Sequence, residues 1–367
     1  MRINNLKRYV LMLSLSLVMG SSAKGQGMLM DFVYGGVSDA EQILQAYLEP
    51  YANILGADLN AGWYNTARPH QLAGIDLTVN ISIARAPSSI LNFDLSTLDL
   101  NGQLVGSSSL TPTVAGTMDE RPSLSYSKTI DMGDGISRDV EYARFQMPNG
   151  TGVDFFPLPM LQLAIGLPLG TDVSVRFLPQ ININERGDIS MWGVGGRHSI
   201  SQWIPGIKKM RFLDIAVQGG YTKVDARVNL DVEPLPEYTE VDPDPNFNWG
   251  ADQYITQVMR GWTTNLITSQ TISVLTLYQG IGYASSIVGM GLQGHYPVHT
   301  VIEEMGPNLG KLTYINKKDP VNLEFQNVNN LRYNLGARLK FGGFTLHYDF
   351  TYTLYATHSA GIGVSFR

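Results

Sequence analysis

Apolar and polar residues alternate one for one through the C-terminal part of the chain. Leu331, Tyr333, Leu335, Ala337, Leu339 and Phe341 interleave with Arg332, Asn334, Gly336, Arg338 and Lys340. Successive side chains of a strand point to opposite faces, so this segment has one apolar face and one charged face. Gly342-Gly343 supplies a tight turn. Phe344, Leu346, Tyr348, Phe350, Tyr352 and Leu354 then oppose Thr345, His347, Asp349, Thr351 and Thr353, and a last segment sets His358, Ala360, Ile362, Val364 and Phe366 against Ser359, Gly361, Gly363 and Ser365. Ile75 to Ile83, Leu213 to Tyr221 and Lys223 to Leu230 repeat the pattern, and weaker strands are expected near 57–65, 158–167, 172–180, 188–197, 253–265 and 272–294.

A soluble sandwich also alternates, but these apolar faces are aromatic near their ends, where rings meet lipid headgroups, and the last strand closes on Phe366. Backbone in lipid must be fully paired, so such strands cross only by closing into a ring. The expected fold is therefore all-β: a closed antiparallel transmembrane β-barrel with a short N-terminal helix, located in the cell outer membrane. Bacterial barrels have an even strand number, short periplasmic turns and long outer loops. Counting back from a periplasmic C-terminus puts 342–343, 268–271, 198–210 and 166–171 on the periplasmic side. The segments 295–328, 231–252 and 182–187 fall outside. With 57–65 as the first crossing, 74–86 runs downward, as does 158–167, so one or three further crossings must hide in 88–157, with 123–131 and 140–147 as candidates. The expected count is about 14 strands, with 12 as the alternative.

Ahead of the strands, Ser38-Asp-Ala-Glu41 has the spacing of a capping box, and Ile43, Leu44, Tyr47, Leu48 and Tyr51 follow at helical intervals. A helix over about 38–55 is expected, interrupted near Glu49 by Pro50. It has two homes, a plug inside the lumen or a base beneath it. As a plug it would present Glu41, Tyr47 and Glu49 to the barrel wall.

Composition narrows the setting. Arg2, Lys7 and Arg8, the apolar run Val10 to Met19, and Ala23 and Gly25 read as a signal peptide cleaved after Gly25. The segment 26–56 then precedes a barrel over 57–367. The formal charge of −6 becomes −10 once the four basic residues of the leader are removed. An acidic mature chain argues against nucleic-acid binding. The chain has no cysteine, which excludes disulfides, thiolate metal sites and a lipidated N-terminus.

Candidate chemistry is sparse. Neither a Gly-x-Ser-x-Gly elbow nor a His-Glu-x-x-His helix occurs, so no enzyme activity, catalytic residue, metal or cofactor is expected. His347 and Asp349 share an inward face, which reads as a hydrated lumen pair ahead of an acid–base pair. Arg332, Arg338 and Lys340, with His347 and Asp349 on the next strand, are the lumen-lining candidates. They would either attract anionic solutes or headgroups, or pair with Glu41, Glu49, Asp214 or Asp225. Asp242-Pro-Asp244 sits in an acidic, proline-rich loop that reads as solvated surface ahead of a calcium site.

Five segments carry a likeness to a family. These are Gly62-Trp63-Tyr64-Asn65-Thr66-Ala67-Arg68-Pro69-His70, Leu163 to Thr171, Arg176-Phe-Leu-Pro179, His198 to Pro205, and Gly219-Gly-Tyr221-Thr222. In this order the chain resembles an uncharacterised outer-membrane barrel family of the Bacteroidota, over most of the mature length; that resemblance implies no activity. More loosely, helix followed by barrel is similar to the long-chain fatty-acid transporter barrels, which have fourteen strands and a helical plug; their Asn-Pro-Ala motif has no counterpart here. The functional expectation is a plugged channel or transporter for small amphipathic or hydrophobic molecules. The alternative is a non-enzymatic scaffold or accessory subunit of an envelope machine, with an apolar patch at Trp203 and Ile204. Expected partners are outer-membrane lipid, a small amphipathic ligand and envelope proteins.

Overall fold

A computed structural model describes residues 30–182, 186–210, 212–238, 248–250 and 252–366. The leader expected over 1–25 and the Asp242-Pro-Asp244 segment lie outside these residues.

Alternation produces strands, and ten of them close into an antiparallel barrel. In chain order the wall begins with β1 (Ile75–Arg85). A cap follows, made of three short strands, β2 (Asn92–Asp94), β3 (Gln103–Val105) and β4 (Leu110–Pro112), and the hairpin β5 (Ser123–Asp131) and β6 (Ser137–Gln146). The wall resumes with β7 (Phe155–Leu167), β8 (Thr171–Asn182), β9 (Gly187–Ser199), β10 (Leu213–Asn229), β11 (Tyr254–Ile272) and β12 (Leu275–Gln293). A second hairpin, β13 (His295–Val301) and β14 (Leu312–Lys318), precedes β15 (Val321–Phe341), β16 (Phe344–Tyr352) and β17 (Thr357–Phe366). Closure comes from β1, which pairs with β17 on one side and β7 on the other.

Ten strands replace the 12 or 14 expected, for two reasons. Residues 57–60 belong to the N-terminal helix and 61–65 are irregular, so the first crossing is β1 and it runs opposite to the expected direction. The segments 123–131 and 140–147 form the β5–β6 hairpin, which pairs within the cap and not with the wall. The two alternating segments after Leu213 are one strand, β10, and the turn placed at 268–271 lies at Ser273 and Val274.

The long connections 86–154, 230–253 and 294–320 lie at one end of the barrel, with the short β16–β17 link; the tight turns 168–170, 273–274 and 342–343 lie at the other, with the β9–β10 connection. Outward side chains between the ends are apolar and exposed, among them Leu77, Val79, Leu163, Val217, Leu266, Leu335 and Ile362. Inward partners such as Thr78, Asn80, Gln218, Asn265 and Asn334 are buried. A belt of rings marks the long-connection boundary: Trp192, Tyr221, Trp262, Tyr283, Tyr333 and Tyr352. Neighbouring rings lie 5.5 Å apart at Trp192–Tyr221 and 5.6 Å at Trp262–Tyr283. Beyond the belt, β10 turns polar on its outer face, with Lys223 Nζ 2.7 Å from Asp225 Oδ1. The tall strands β10, β11, β12 and β15, of 17, 19, 19 and 21 residues, therefore stand clear of the apolar zone as a partial outer wall.

Helix α1 (Val37–Asn60) enters from the long-connection end and descends into the lumen. No capping box forms: the N-cap is Gly36 without a side-chain bond, and Glu41 Oε1 accepts from Asn322 N–H (3.2 Å) instead. The helix also runs through Pro50 to Asn60, because Tyr47, Ile54, Leu55 and Leu59 on either side are held by burial. No helix of the described residues is long and apolar enough to cross a membrane.

Candidate functional site

The lumen is filled in two storeys by α1 and the segment 61–74. In the upper storey Ile43, Leu44, Ile54, Leu55 and Leu59 pack against inward side chains of the wall, including Phe156, Leu158, Met160, Met191, Val224 and Met259. Polar contacts join the helix to the cap above. Asp39 accepts from Asn101 Nδ2 (2.8 Å) and Gly102 N–H (2.9 Å), and Tyr47 donates to Asn149 O (3.2 Å). Asn53 Nδ2 donates to Tyr355 Oη at 2.8 Å. Glu49 is exposed, whereas Tyr47 is buried.

The lower storey is polar and cationic. A helix ends in unpaired carbonyls and a partial negative charge. The last turn of α1 contains no basic residue, and the wall supplies the cations instead. Arg176 donates from Nη1 to Leu59 O (3.0 Å), from Nη2 to Ala61 O (2.7 Å) and from Nε to Gln162 Oε1 (3.1 Å). Arg332 donates to Asn60 O, Thr263 Oγ1 and Thr351 Oγ1. Arg197 bridges Thr66 O and the Asp172 carboxylate.

Below the helix, glycines in the wall make room for aromatic residues of the segment. A Cβ at Gly195 or at Gly220 would lie 2.5 Å from the Trp63 ring, and one at Gly280 would lie 2.3 Å from Tyr64 Oη. Tyr64 meets Tyr278 edge-on at 6.1 Å. The segment then ends in a charged latch. His70 Nδ1 is 2.9 Å from Asp172 Oδ2, His70 Nε2 is 3.7 Å from Asp76 Oδ2, and Arg68 pairs with Asp214 at 2.9 Å. Burial works against the charged imidazole of His70, but its bonds to Asp172 and Asp76 outweigh that and raise its pKa above the usual 6.5.

All five lumen candidates from β15 and β16 lie on the inner side. Arg332 has the role just described. Asp349 accepts from Asn334 Nδ2 (2.8 Å) and Tyr278 Oη (3.3 Å). Arg338 and His347 are cross-strand neighbours, both buried. Lys340 Nζ reaches Ser365 Oγ at 3.4 Å. None of the proposed ion pairs with Glu41, Glu49, Asp214 or Asp225 forms: Arg332 meets helix carbonyls instead, Asp214 is taken by Arg68, and Asp225 by Lys223. His347 and Asp349 share no hydrogen bond among those described, since Asp349 is committed to β15 and β12. The sequence reading missed Arg176, Arg197, Asp172, His70 and Trp63 as a functional group. Their available signal was inward parity, with Asp172, Ser174 and Arg176 alternating with Val173, Val175 and Phe177.

Narrow clefts flank the plug. One lies between Asn60, Ser285, Arg332 and Tyr355; another lies among Trp63, His70, Asp76, Arg197 and His347. Buried polar atoms without a hydrogen-bond partner cluster around them, including Arg332 Nε, Arg197 Nε, Gln218 Nε2 and His347 Nδ1. Among the described residues no group of three His, Asp or Glu side chains is arranged to hold a metal.

At the long-connection end, the His299 imidazole is stacked between Tyr34 (3.9 Å) and Tyr238 (3.6 Å). Tyr34 belongs to a helical turn over 30–35 that precedes α1, His299 to β13, and Tyr238 to the long β10–β11 connection. Burial alone lowers the His299 pKa to about 4. Trp203, on the β9–β10 connection at the short-turn end, is 66 % exposed and donates from Nε1 to His198 Nε2 (3.1 Å).

No curated protein matches the chain. Among solved structures, the outer membrane transporter YddB from Escherichia coli is 10% identical with a TM-score of 0.31, over 78% of this chain and 41% of that one. The chain therefore spans under half the length of that relative. An outer membrane channel from Pseudomonas putida F1 is 8% identical with a TM-score of 0.35, over 84% of this chain and 100% of that one. A family model matches residues 5–366, and the chain belongs to that family, described as a family of unknown function (DUF6588).

Proposed function

We propose that the protein is an outer-membrane barrel closed by its own N-terminal segment, a plugged channel for small amphipathic or hydrophobic molecules. The short-turn end is then periplasmic and the long-connection end external. The observation that carries this reading is the seat of the plug. Three wall arginines hold main-chain carbonyls of α1 and the segment after it, and the lumen around them keeps buried polar atoms without protein partners. Such atoms are satisfied by water, so the lower lumen is a hydrated path obstructed by one removable element.

Conductance across planar bilayers tests this. Replacing Arg176 and Arg332 by glutamine removes the cations that hold Leu59, Ala61 and Asn60, and the channel reading expects current where the unaltered protein passes none. A Cβ at Gly261 lies 3.2 Å from Leu59 Cβ, close to disulfide spacing. In the same background, L59C/G261C should therefore be shut when oxidised and open when reduced. A folded glutamine variant that passes no current in either state would overturn the channel reading.

A second reading, a scaffold for an envelope assembly, is favoured by the filled lumen and by exposed Trp203, Ile204, Met210 and Phe212 at the periplasmic end. That reading expects co-purifying envelope protein, lost on replacing Trp203 and Phe212.

A further inference from the structure

One side of the barrel wall is unzipped. β7 and β8 pair from Leu167–Thr171 up to Gln162–Arg176, and the ladder stops there. Yet β7 continues to Phe155 and β8 to Asn182. Over the same stretch β7 stays paired with β1, as far as Phe155 with Arg85.

Parity identifies which backbone groups face the gap. Gly166 N–H donates to Gly74 O and Gly166 O accepts from Ala73 N–H, so even-numbered residues of β7 bond towards β1. Odd-numbered residues therefore bond towards β8, and Pro157 and Pro159 are both odd. The two N–H groups that proline removes are thus donors the ladder with β8 would have used. Across the gap, β8 has a bulge between Leu178 and Ile181 that contains Pro179, which donates to neither neighbour. Proline inside sheets is confined to edges and bulges, and both lips of this seam behave as edges.

The seam joins two apolar regions. On the outer surface its lower corner is flanked by Leu161, 42 % exposed, and Phe177, 56 % exposed. Phe177 pairs with Trp192 of the aromatic belt, which sets the opening at the outer headgroup level. Directly behind it lie Phe156, Leu158, Met160 and Met191, all part of the apolar upper storey around α1.

We infer that the β7–β8 seam is a lateral mouth through which the tail of a single-chain amphiphile passes between the outer leaflet and the upper lumen. This rests on the plugged-channel reading for the tail's onward route, while the mouth itself requires no conduction.

The chain has no cysteine, so single thiols report access without background. Met160→Cys places one behind the seam, and Ala164→Cys places one on the same inward face where β7 and β8 are paired. In lipid vesicles, a bilayer-dissolved N-dodecylmaleimide should modify M160C at least about tenfold faster than A164C. Adding Pro157→Val and Pro159→Val restores the missing donors and should slow M160C labelling by a similar factor. Heat-modifiable electrophoretic mobility checks folding, and Leu158→Cys replaces M160C if that variant does not assemble. Equal rates at 160 and 164, or no slowing in the valine variant, would overturn the mouth. So would faster labelling of M160C by a charged, water-soluble maleimide, which would mean an aqueous route from above. If the glutamine variant conducts while M160C ignores the dodecyl reagent, the mouth alone fails; a labelled M160C in a barrel that never conducts sinks the channel and leaves the mouth standing.

Discussion

The Arg176 guanidinium lies 3.8 Å from the centre of the Trp63 ring, and its nitrogens hold the carbonyls of Leu59 and Ala61 on either side of the helix end. Wall, helix terminus and the segment below it thus meet on one side chain. Arg176→Met keeps the stem but leaves two buried carbonyls unpaired, and should lower the unfolding free energy by about 2–4 kcal/mol. Arg176→Lys should recover only part of this, since an ammonium lacks the planar fork. Urea unfolding in detergent micelles measures both.

His70 gives the latch a pH dependence. Its folded pKa is raised above the ordinary 6.5, so its contribution is complete below 6.5 and is lost as pH rises through the folded value. Protection of amides 61–72, taken relative to intrinsic exchange at the same pH, should therefore fall between neutral and alkaline pH, and His70→Asn should be poorly protected throughout. Protection independent of pH in the unaltered protein would remove His70 from this role.

The outer clasp has the opposite sign. His299 is held neutral with a pKa lowered to about 4, so stability is lost as pH falls from 6.5 towards 4, where the unfolded imidazole binds a proton and the stacked one does not. Protection of the β13–β14 hairpin should decline across that window. His299→Phe keeps a ring between Tyr34 and Tyr238 and should abolish the decline.

Gly220 is a seat for Trp63. Gly220→Ala pushes a methyl to 2.5 Å from the indole and should cost about 1–3 kcal/mol as the ring is displaced. Gly206→Ala, with nothing within 4 Å, is the matched control and should be silent. A shift in Trp63 emission would separate displacement of the ring from a general loss of stability.

Lipid exposure is tested by depth. Ala337→Arg, midway between Tyr333 and Phe341 on the outer face, should destabilise the barrel by about 2–4 kcal/mol; Leu331→Arg, just beyond the belt, should cost about 0–1 kcal/mol. Equal penalties would place the apolar zone elsewhere.

Much of the wall was legible because period-two alternation is a local signal. Ile75 to Ile83 and the three C-terminal strands alternate across the wall as their patterns require, although β1 runs opposite to the direction expected of it. The cap misled for the same reason: Leu124, Tyr126 and Ile130 are buried in a hairpin that alternates as a crossing does, and only non-local pairing tells them apart. Residues 57–65 carry apolar spacing that fits a strand, yet 57–60 complete α1, whose lower end is stabilised by Arg176 and Arg332 from far along the chain. Arg332 on β15 could be placed by parity. Its helix partner could not, because that is the Asn60 carbonyl, at the end of a helix whose position no local pattern encodes.

The descent of α1 from the long-connection end to a β1 that starts at the short-turn end constrains the order of assembly. A helix of 24 residues, tied at its head to the cap and at its foot to the wall, cannot be threaded afterwards through a finished ring of ten strands. The ladder that closes the ring is then made around a segment already in position, and α1 serves as the mandrel on which the wall is wound.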